Sequence, residues 1–276
     1  MPADPSLNGR VAIVTGASRG LGREMALAMA AAGMKVGLVG SSPSTALDDT
    51  LVEIRAAGGE AISIVADVAD YAACEKTISD LVEKFGRVDV LVNNAGLGMR
   101  LISESFNVEP TRFWEASPEA WRRIIDANVN GAFNMARAAA PRMVAQGFGK
   151  IINISTSDQT MVRKGYSPYG PSKAALEAMS RVWAQDLAGT GVDVNVYLPG
   201  GAADTDLLPP GPGKKGADGN LLPASIMRRG ILWLSSDASN GETGGRYIAR
   251  LWAESLPPAE AAAAARTAPV AKPAIM

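Results

Sequence analysis

Short runs rich in Val and Ile alternate along the chain with longer stretches whose apolar positions recur at helical spacing. The runs are RVAIVTG (10–16), MKVGLVG (34–40), EAISIVAD (60–67), RVDVLVNNAG (87–96), GKIINIST (149–156), VDVNVYLPG (192–200) and GGRYIAR (244–250). Six of the seven are bounded by Gly, Asp, Asn or Pro and read as strands buried on both faces. GGRYIAR is short and carries arginines, which makes it the weakest of the set. Between the runs, LGREMALAMAAAG (21–33) ends on a glycine, a helix stop signal. The stretch 117–147 opens Ser-Pro-Glu, a capping serine followed by proline at the first helical position, and predicts a helix.

This alternation predicts an α/β fold: a Rossmann-type doubly wound, seven-stranded and mostly parallel sheet with helices on both faces. Residues 1–255 read as a single dinucleotide-binding domain with no internal linker. Two segments depart from the pattern. Residues 203–225 are rich in Gly, Pro and Asp and read as a long mobile loop. The Ala/Pro-rich tail, 256–276, reads as disordered or loosely packed, or else as a source of subunit or lid contacts.

Composition narrows the chemistry. With 276 residues the chain can bury a sizeable core, and 47% hydrophobic residues suit a globular protein. A net charge of −1 gives no footprint for nucleic acid or acidic membranes, and no apolar run reaches the ~18 residues of a membrane span. With no basic, apolar leader in the first residues, the expected address is the cytoplasm. There is no histidine, which removes Ser-His-Asp and Cys-His schemes and most catalytic zinc sites. The single Cys74 cannot form an intrachain disulfide, and no metal site is expected. Acid–base chemistry must then come from tyrosine, lysine or carboxylates.

The first strand runs into TGASRGLG, with Gly16, Gly20 and Gly22 at its turn and Ser18, Arg19 and Leu21 between them. A strand, a glycine turn and a helix start make an anion site, because backbone N–H groups and the helix dipole face a pyrophosphate. An acid at the end of the second strand would take the adenosine ribose hydroxyls. Here Gly40, Ser41 and Ser42 stand in its place. Nothing there repels a 2′-phosphate, and Arg19 offers it a charge. The expected cofactor is NADP(H), with NAD(H) the alternative. Tyr169 and Lys173 lie four apart on a predicted helix and so share a face. The ammonium favours phenolate and pulls the tyrosine toward a useful pKa.

Taken in order, these residues resemble a classical short-chain dehydrogenase/reductase, from about Arg10 to about Thr205. TGASRGLG matches that family's cofactor loop, and Asp67 and Val68 its adenine pocket. NNAG, with Asn94, Ala95 and Gly96, matches the motif beside the cofactor. NVNG supplies the family's asparagine as Asn128, and YGPSK its Tyr-x-x-x-Lys. Pro199, Gly200 and Thr205 fall where the family meets the nicotinamide end.

The resemblance implies hydride transfer between a nicotinamide cofactor and a secondary alcohol or ketone. Tyr169 would be the acid–base group, Lys173 its tuner and ribose ligand, and Asn128 the holder of a water. The family's substrate-polarising serine lies thirteen places before the tyrosine, where this chain has Thr156; Ser155 and Ser157 flank it. Phe106, Phe113 and Trp114 sit in a long segment that could frame the pocket, and Met161 and Tyr166 are further candidates. The resemblance also implies a homodimer or homotetramer built on the long helices. Other readings are a non-catalytic dinucleotide-binding sensor or scaffold, and a dehydratase or epimerase holding its cofactor permanently.

Overall fold

In the computed structural model, residues 4–211, 214–216 and 218–268 are described. β1 (Val11–Thr15) is buried along its whole length. Successive side chains point to opposite faces. Ala12 and Val14 therefore join one apolar cluster, Val11 and Ile13 the other. The same division applies to β2 (Lys35–Gly40), β4 (Val90–Asn93) and β5 (Gly149–Ile154). Two covered faces explain why the runs read as continuously apolar rather than alternating.

With β3 (Ala61–Val65), β6 (Val192–Leu198) and β7 (Arg246–Ile248), the strands form one sheet in the order β3-β2-β1-β4-β5-β6-β7. Every pairing is parallel. One face packs on α1 (Gly20–Ala31), α2 (Thr45–Ala56), α8 (Arg228–Ser235) and α9 (Pro258–Ala265). The other packs on α3 (Tyr71–Phe85), on the helix that carries Ala184, and on the second of two helices in the stretch 117–147.

That stretch is not one helix. Ser117 caps α4 (Pro118–Ile125) through its hydroxyl, with Pro118 at the first position as the sequence predicts. A π-helical turn then spans Asp126–Asn130 before α5 (Gly131–Gln146). Such one-residue expansions recur at functional sites, and this one carries Asn128. Two more helices complete the inventory used below: α6 (Asp158–Met161) and α7 (Tyr169–Asp186).

Two expectations change. The start of the tail is not loose: Ala261, Ala262 and Ala265 of α9 are buried in the first cluster. Small side chains let this helix lie close to its neighbours. Arg266 then bridges antiparallel to Tyr247, and Thr267 N donates to Arg246 O at 2.8 Å, along the outer edge of β7. Residues 269–276 lie outside the described residues. The segment 203–225 is pinned at its base, where Ala203 and Leu222 form a parallel bridge and Leu222 N donates to Ala202 O at 2.8 Å.

Candidate active site

The strand order reverses between β1 and β4. That switch point opens a crevice at the carboxyl ends of the strands. Gly16 and Gly20 sit there at φ 66° and 56°, in the left-handed region. A Cβ on Gly22 would collide with the Gly16 carbonyl and the Asn94 amide. The first turn of α1 thus lies against the β1 and β4 exits with room only for hydrogen. A cradle of this shape fits a pyrophosphate, and its residues suit a dinucleotide.

Asn94 holds the cradle together. Its Nδ2 donates to Thr15 O (2.9 Å) and Gly16 O (3.2 Å). Thr15 Oγ1 accepts from the N–H groups of Asn94 and Ala95 at 3.0 and 2.9 Å. Around the loop, Ser18 and Leu21 are partly exposed and Arg19 is open to solvent. Ser41 and Ser42 follow β2 and are exposed. Asp67 Oδ1 accepts from Ala69 N at 3.0 Å, turning the chain so that Val68 is buried and Val68 O accepts from Asn134 Nδ2 at 2.9 Å.

Thr205 rests on this loop, its methyl 3.1 Å from where a Gly20 Cβ would stand. Arg19 reaches Asp206 at 3.6 Å, and Arg100 Nη1 donates to Asp206 O at 2.7 Å. Residues 203–208 are therefore laid across the crevice. Gly200 takes φ 87°, and Pro199 O accepts from Arg250 N at 3.1 Å.

Tyr169 opens α7, and Pro171 is in its first turn, where a missing N–H breaks no helical bond. The Thr156 hydroxyl stands near enough to the Tyr169 phenol to lower its pKa by hydrogen bonding. Ser155 and Ser157 are used elsewhere. Ser155 Oγ donates to Glu177 Oε1 at 2.6 Å, and Ser157 caps α6 through Thr160 N at 3.2 Å. Of the three hydroxyls, the structure thus brings Thr156 to the tyrosine.

Lys173 is buried and its Nζ donates to Ile154 O at 2.8 Å. Burial draws this ammonium down to about 8, with Glu177 acting the other way. Burial pushes the Tyr169 phenol up to about 12, and the Thr156 hydrogen bond only partly opposes it. Desolvation dominates, and Lys173 is committed to the end of β5.

Asn128 is buried as well. Its Oδ1 accepts from Leu97 N at 2.8 Å, and its Nδ2 donates to Leu97 O and Ser172 Oγ, each at 3.0 Å. Gly96 lies against this pair: a Cβ there would be 3.0 Å from Asn128 Oδ1 and 3.7 Å from Lys173 Nζ.

A third apolar cluster forms the wall above the phenol: Met99, Phe106 and Tyr166, with Ile102, Leu208 and Tyr169 itself packed against it. Phe106 meets Tyr166 edge-on, centroids 5.5 Å apart. Phe113 and Trp114 do not join this wall. They are 66% and 67% exposed and stack edge-on with each other. Met161 ends α6 and is also outside the cluster.

Some residues of this region carry no motif. Asn93 Nδ2 donates to Asn153 Oδ1, and Asn153 Nδ2 to Ser180 Oγ, both at 2.8 Å, tying β4 to β5 and to α7. Polar residues within apolar strand runs were the signal. Glu177 and Arg246 also meet here, and nothing in the spacing foretold a pair 69 residues apart. Cys74 is a core residue, its thiol pushed up to about 12 by burial.

A model of the family described as short chain dehydrogenase matches residues 10–211. The chain is 40% identical over 195 residues to a 3-oxoacyl-[acyl-carrier-protein] reductase of Synechocystis sp., covering 71% of this chain and 75% of that protein. It is 34% identical over 244 residues to a 2,5-dichloro-2,5-cyclohexadiene-1,4-diol dehydrogenase of Sphingobium indicum, covering 86% and 93%. A crystal structure of a short-chain type dehydrogenase/reductase from Mycobacterium marinum superposes with TM-score 0.77 at 30% identity, covering 88% of this chain and 94% of that one.

Proposed function

Because the chain belongs to the short-chain dehydrogenase family, we propose that it interconverts a secondary alcohol and a ketone with NADP(H), using Tyr169 as the acid–base group. The observation that carries this reading is the Thr156 hydroxyl placed to lower the Tyr169 pKa, with Lys173 buried four residues along the same helix. A nicotinamide dinucleotide held in the glycine cradle supplies or accepts the hydride.

The chain's own residues do the rest. In reduction, Tyr169 donates its proton to the substrate oxygen; in oxidation it takes that proton back. Thr156 turns its hydroxyl to the same oxygen and polarises it. Lys173, fixed by Ile154 O, would hold the ribose and support the charge that develops on Tyr169. The Asn128 side chain is engaged with Leu97 and Ser172, so the water this reading assigns to Asn128 would meet its main chain.

The wall of Met99, Phe106, Tyr166 and Leu208 favours a partly apolar substrate. Relatives named as a 3-oxoacyl reductase and a diol dehydrogenase support chemistry at a CH–OH carbon. The absence of an acid after β2, with Ser41, Ser42 and Arg19 exposed, favours the 2′-phosphate of NADP(H). Exposed Phe133, Val144 and Val182 on α5 and α7 support a homodimer or homotetramer through these helices.

The test is a fluorescence titration with NADPH and with NADH, beside turnover of ethyl acetoacetate by wild type and Tyr169→Phe. Tighter NADPH binding, and a variant that binds it equally but has lost turnover, support the reading. Tighter NADH binding overturns the cofactor choice, and substantial turnover by Tyr169→Phe overturns the proton role. Tight binding with no turnover of any ketone or alcohol by the wild type points instead to a dinucleotide sensor or scaffold.

A further inference from the structure

Arg246 opens β7, beyond the segment that the family model matches. Its guanidinium points away from solvent, 22% exposed, toward the end of β5. Nε lies 3.1 and 3.0 Å from the two carboxylate oxygens of Glu177 on α7. Nη2 donates to Thr156 O at 3.0 Å. Glu177 also accepts from Ser155 Oγ at 2.6 Å.

One ion pair therefore grips two successive residues. It holds Ser155 by its side chain and Thr156 by its main chain. On the far side, Arg246 O accepts from Thr267 N and Oγ1 at 2.8 and 3.1 Å. The arginine is thus fixed from behind by the tail segment. The Thr156 side chain, left free by these bonds, is the one that meets Tyr169.

We propose that Arg246 and Glu177 are positioning residues, which lock the main chain at Thr156 and so aim its hydroxyl at the phenol oxygen and the substrate. This rests on the reading of Thr156 as a hydrogen-bond donor in catalysis. The guanidinium suits the task because its planar fork serves the carboxylate and the carbonyl together; an ammonium is a single point charge. Glu177 has a second effect, as its charge favours the protonated form of Lys173 one turn away. Arg246 offsets part of that charge.

The test compares Arg246→Met, Arg246→Lys, Glu177→Gln and Thr156→Val, with ethyl acetoacetate and NADPH as probes. Misplacing a hydroxyl by about an ångström costs up to about 100-fold in rate. Arg246→Met is expected to lose kcat on that order, with NADPH affinity retained and Arg246→Lys recovering little. Added to Thr156→Val, it is expected to cost nothing further, because both changes remove the same contact.

Two outcomes are kept apart. If Thr156→Val keeps full kcat, the donor reading itself fails. If Thr156→Val loses kcat while Arg246→Met keeps it, or their losses add in full, the positioning proposal fails and the donor reading stands. A second readout needs no substrate: the pH titration of the Lys173 ¹³Cε signal. Glu177→Gln is expected to move it to lower pH and Arg246→Met to higher pH. Two variants that merely loosen the fold would leave it unmoved or shift it the same way, and either result overturns the proposal.

Discussion

The Lys173 ammonium lies 2.8 Å from the carbonyl oxygen of Ile154, the last residue of β5. A helix that begins with Tyr169 is thereby nailed to the strand that leads to Thr156. Both partners are buried, so this bond fixes the spacing of the whole site.

The first prediction concerns stability against pH. Lys173 titrates at about 8 in the folded chain against 10.5 for the free side chain. Between these values the unfolded chain binds more protons, so this group makes stability rise with pH there. Lys173→Met is expected to abolish that rise. Relative to the variant, wild type should gain on the order of 1–3 kcal/mol between pH 8 and pH 10. Urea unfolding at the two pH values measures it, and parallel curves would contradict it.

The pH dependence of alcohol oxidation should report on Thr156. Its hydrogen bond is the contact that lowers the Tyr169 pKa against burial. Thr156→Val removes that contact, so the phenolate forms only at higher pH. The alkaline rise in kcat/KM is expected to move up by about one pH unit, the scale of a lost hydrogen bond near 1.4 kcal/mol. A rise at the wild-type pH would rule out this contact as the tuner.

Gly22→Ala tests the cradle. The new methyl would have to displace the Gly16 carbonyl, which is backbone, and the Asn94 amide, which two hydrogen bonds hold in place. We expect a loss of about 1–3 kcal/mol in stability from overpacking. Dinucleotide affinity should fall at least about tenfold as the loop opens. Calorimetric titration with NADPH checks it.

Asn153→Leu cuts the buried link between β4 and α7. Asn93 Nδ2 then keeps only its 3.3 Å contact to Ala132 O. The expected cost is about 1–3 kcal/mol, for a buried donor poorly matched. Chemical denaturation measures it; a variant as stable as wild type would show that the sheet absorbs the change.

Assembly is the last prediction. Phe133, on α5, is 46% exposed, and Val182, on α7, is 53% exposed. Phe133→Asp with Val182→Asp is expected to convert a dimer or tetramer into a smaller species, read by light scattering after gel filtration. An unchanged mass would move the interface elsewhere.

The sheet was legible because its central strands, covered on both faces, are mostly apolar, and each of the seven runs contains its strand, although Ser63 and Val65 of edge strand β3 are exposed. The cradle was legible for a related reason: Gly16, Gly20 and Gly22 answer to backbone demands that other residues cannot meet. The break in the stretch 117–147 was not, because a π turn keeps helical polarity and adds only one residue to the count. The tail misled because alanine signals equally a featureless segment and a helix that packs closely. Phe113 and Trp114 misled because hydrophobic character does not say which way a loop residue faces. The part played by Arg246 was not legible, since it only weakened a short run as a strand and its partners are 69 and 90 residues away.

The separation of Thr156 from Arg246 also orders events during synthesis. A ribosome emits every recognisable motif of the site, from the glycine turn to Tyr169 and Lys173, well before Arg246 is made. Thr267, which braces the arginine from behind, emerges later still. A nascent or prematurely terminated chain can therefore carry all the family's signatures while the main chain at Thr156 still lacks the arginine that grips it.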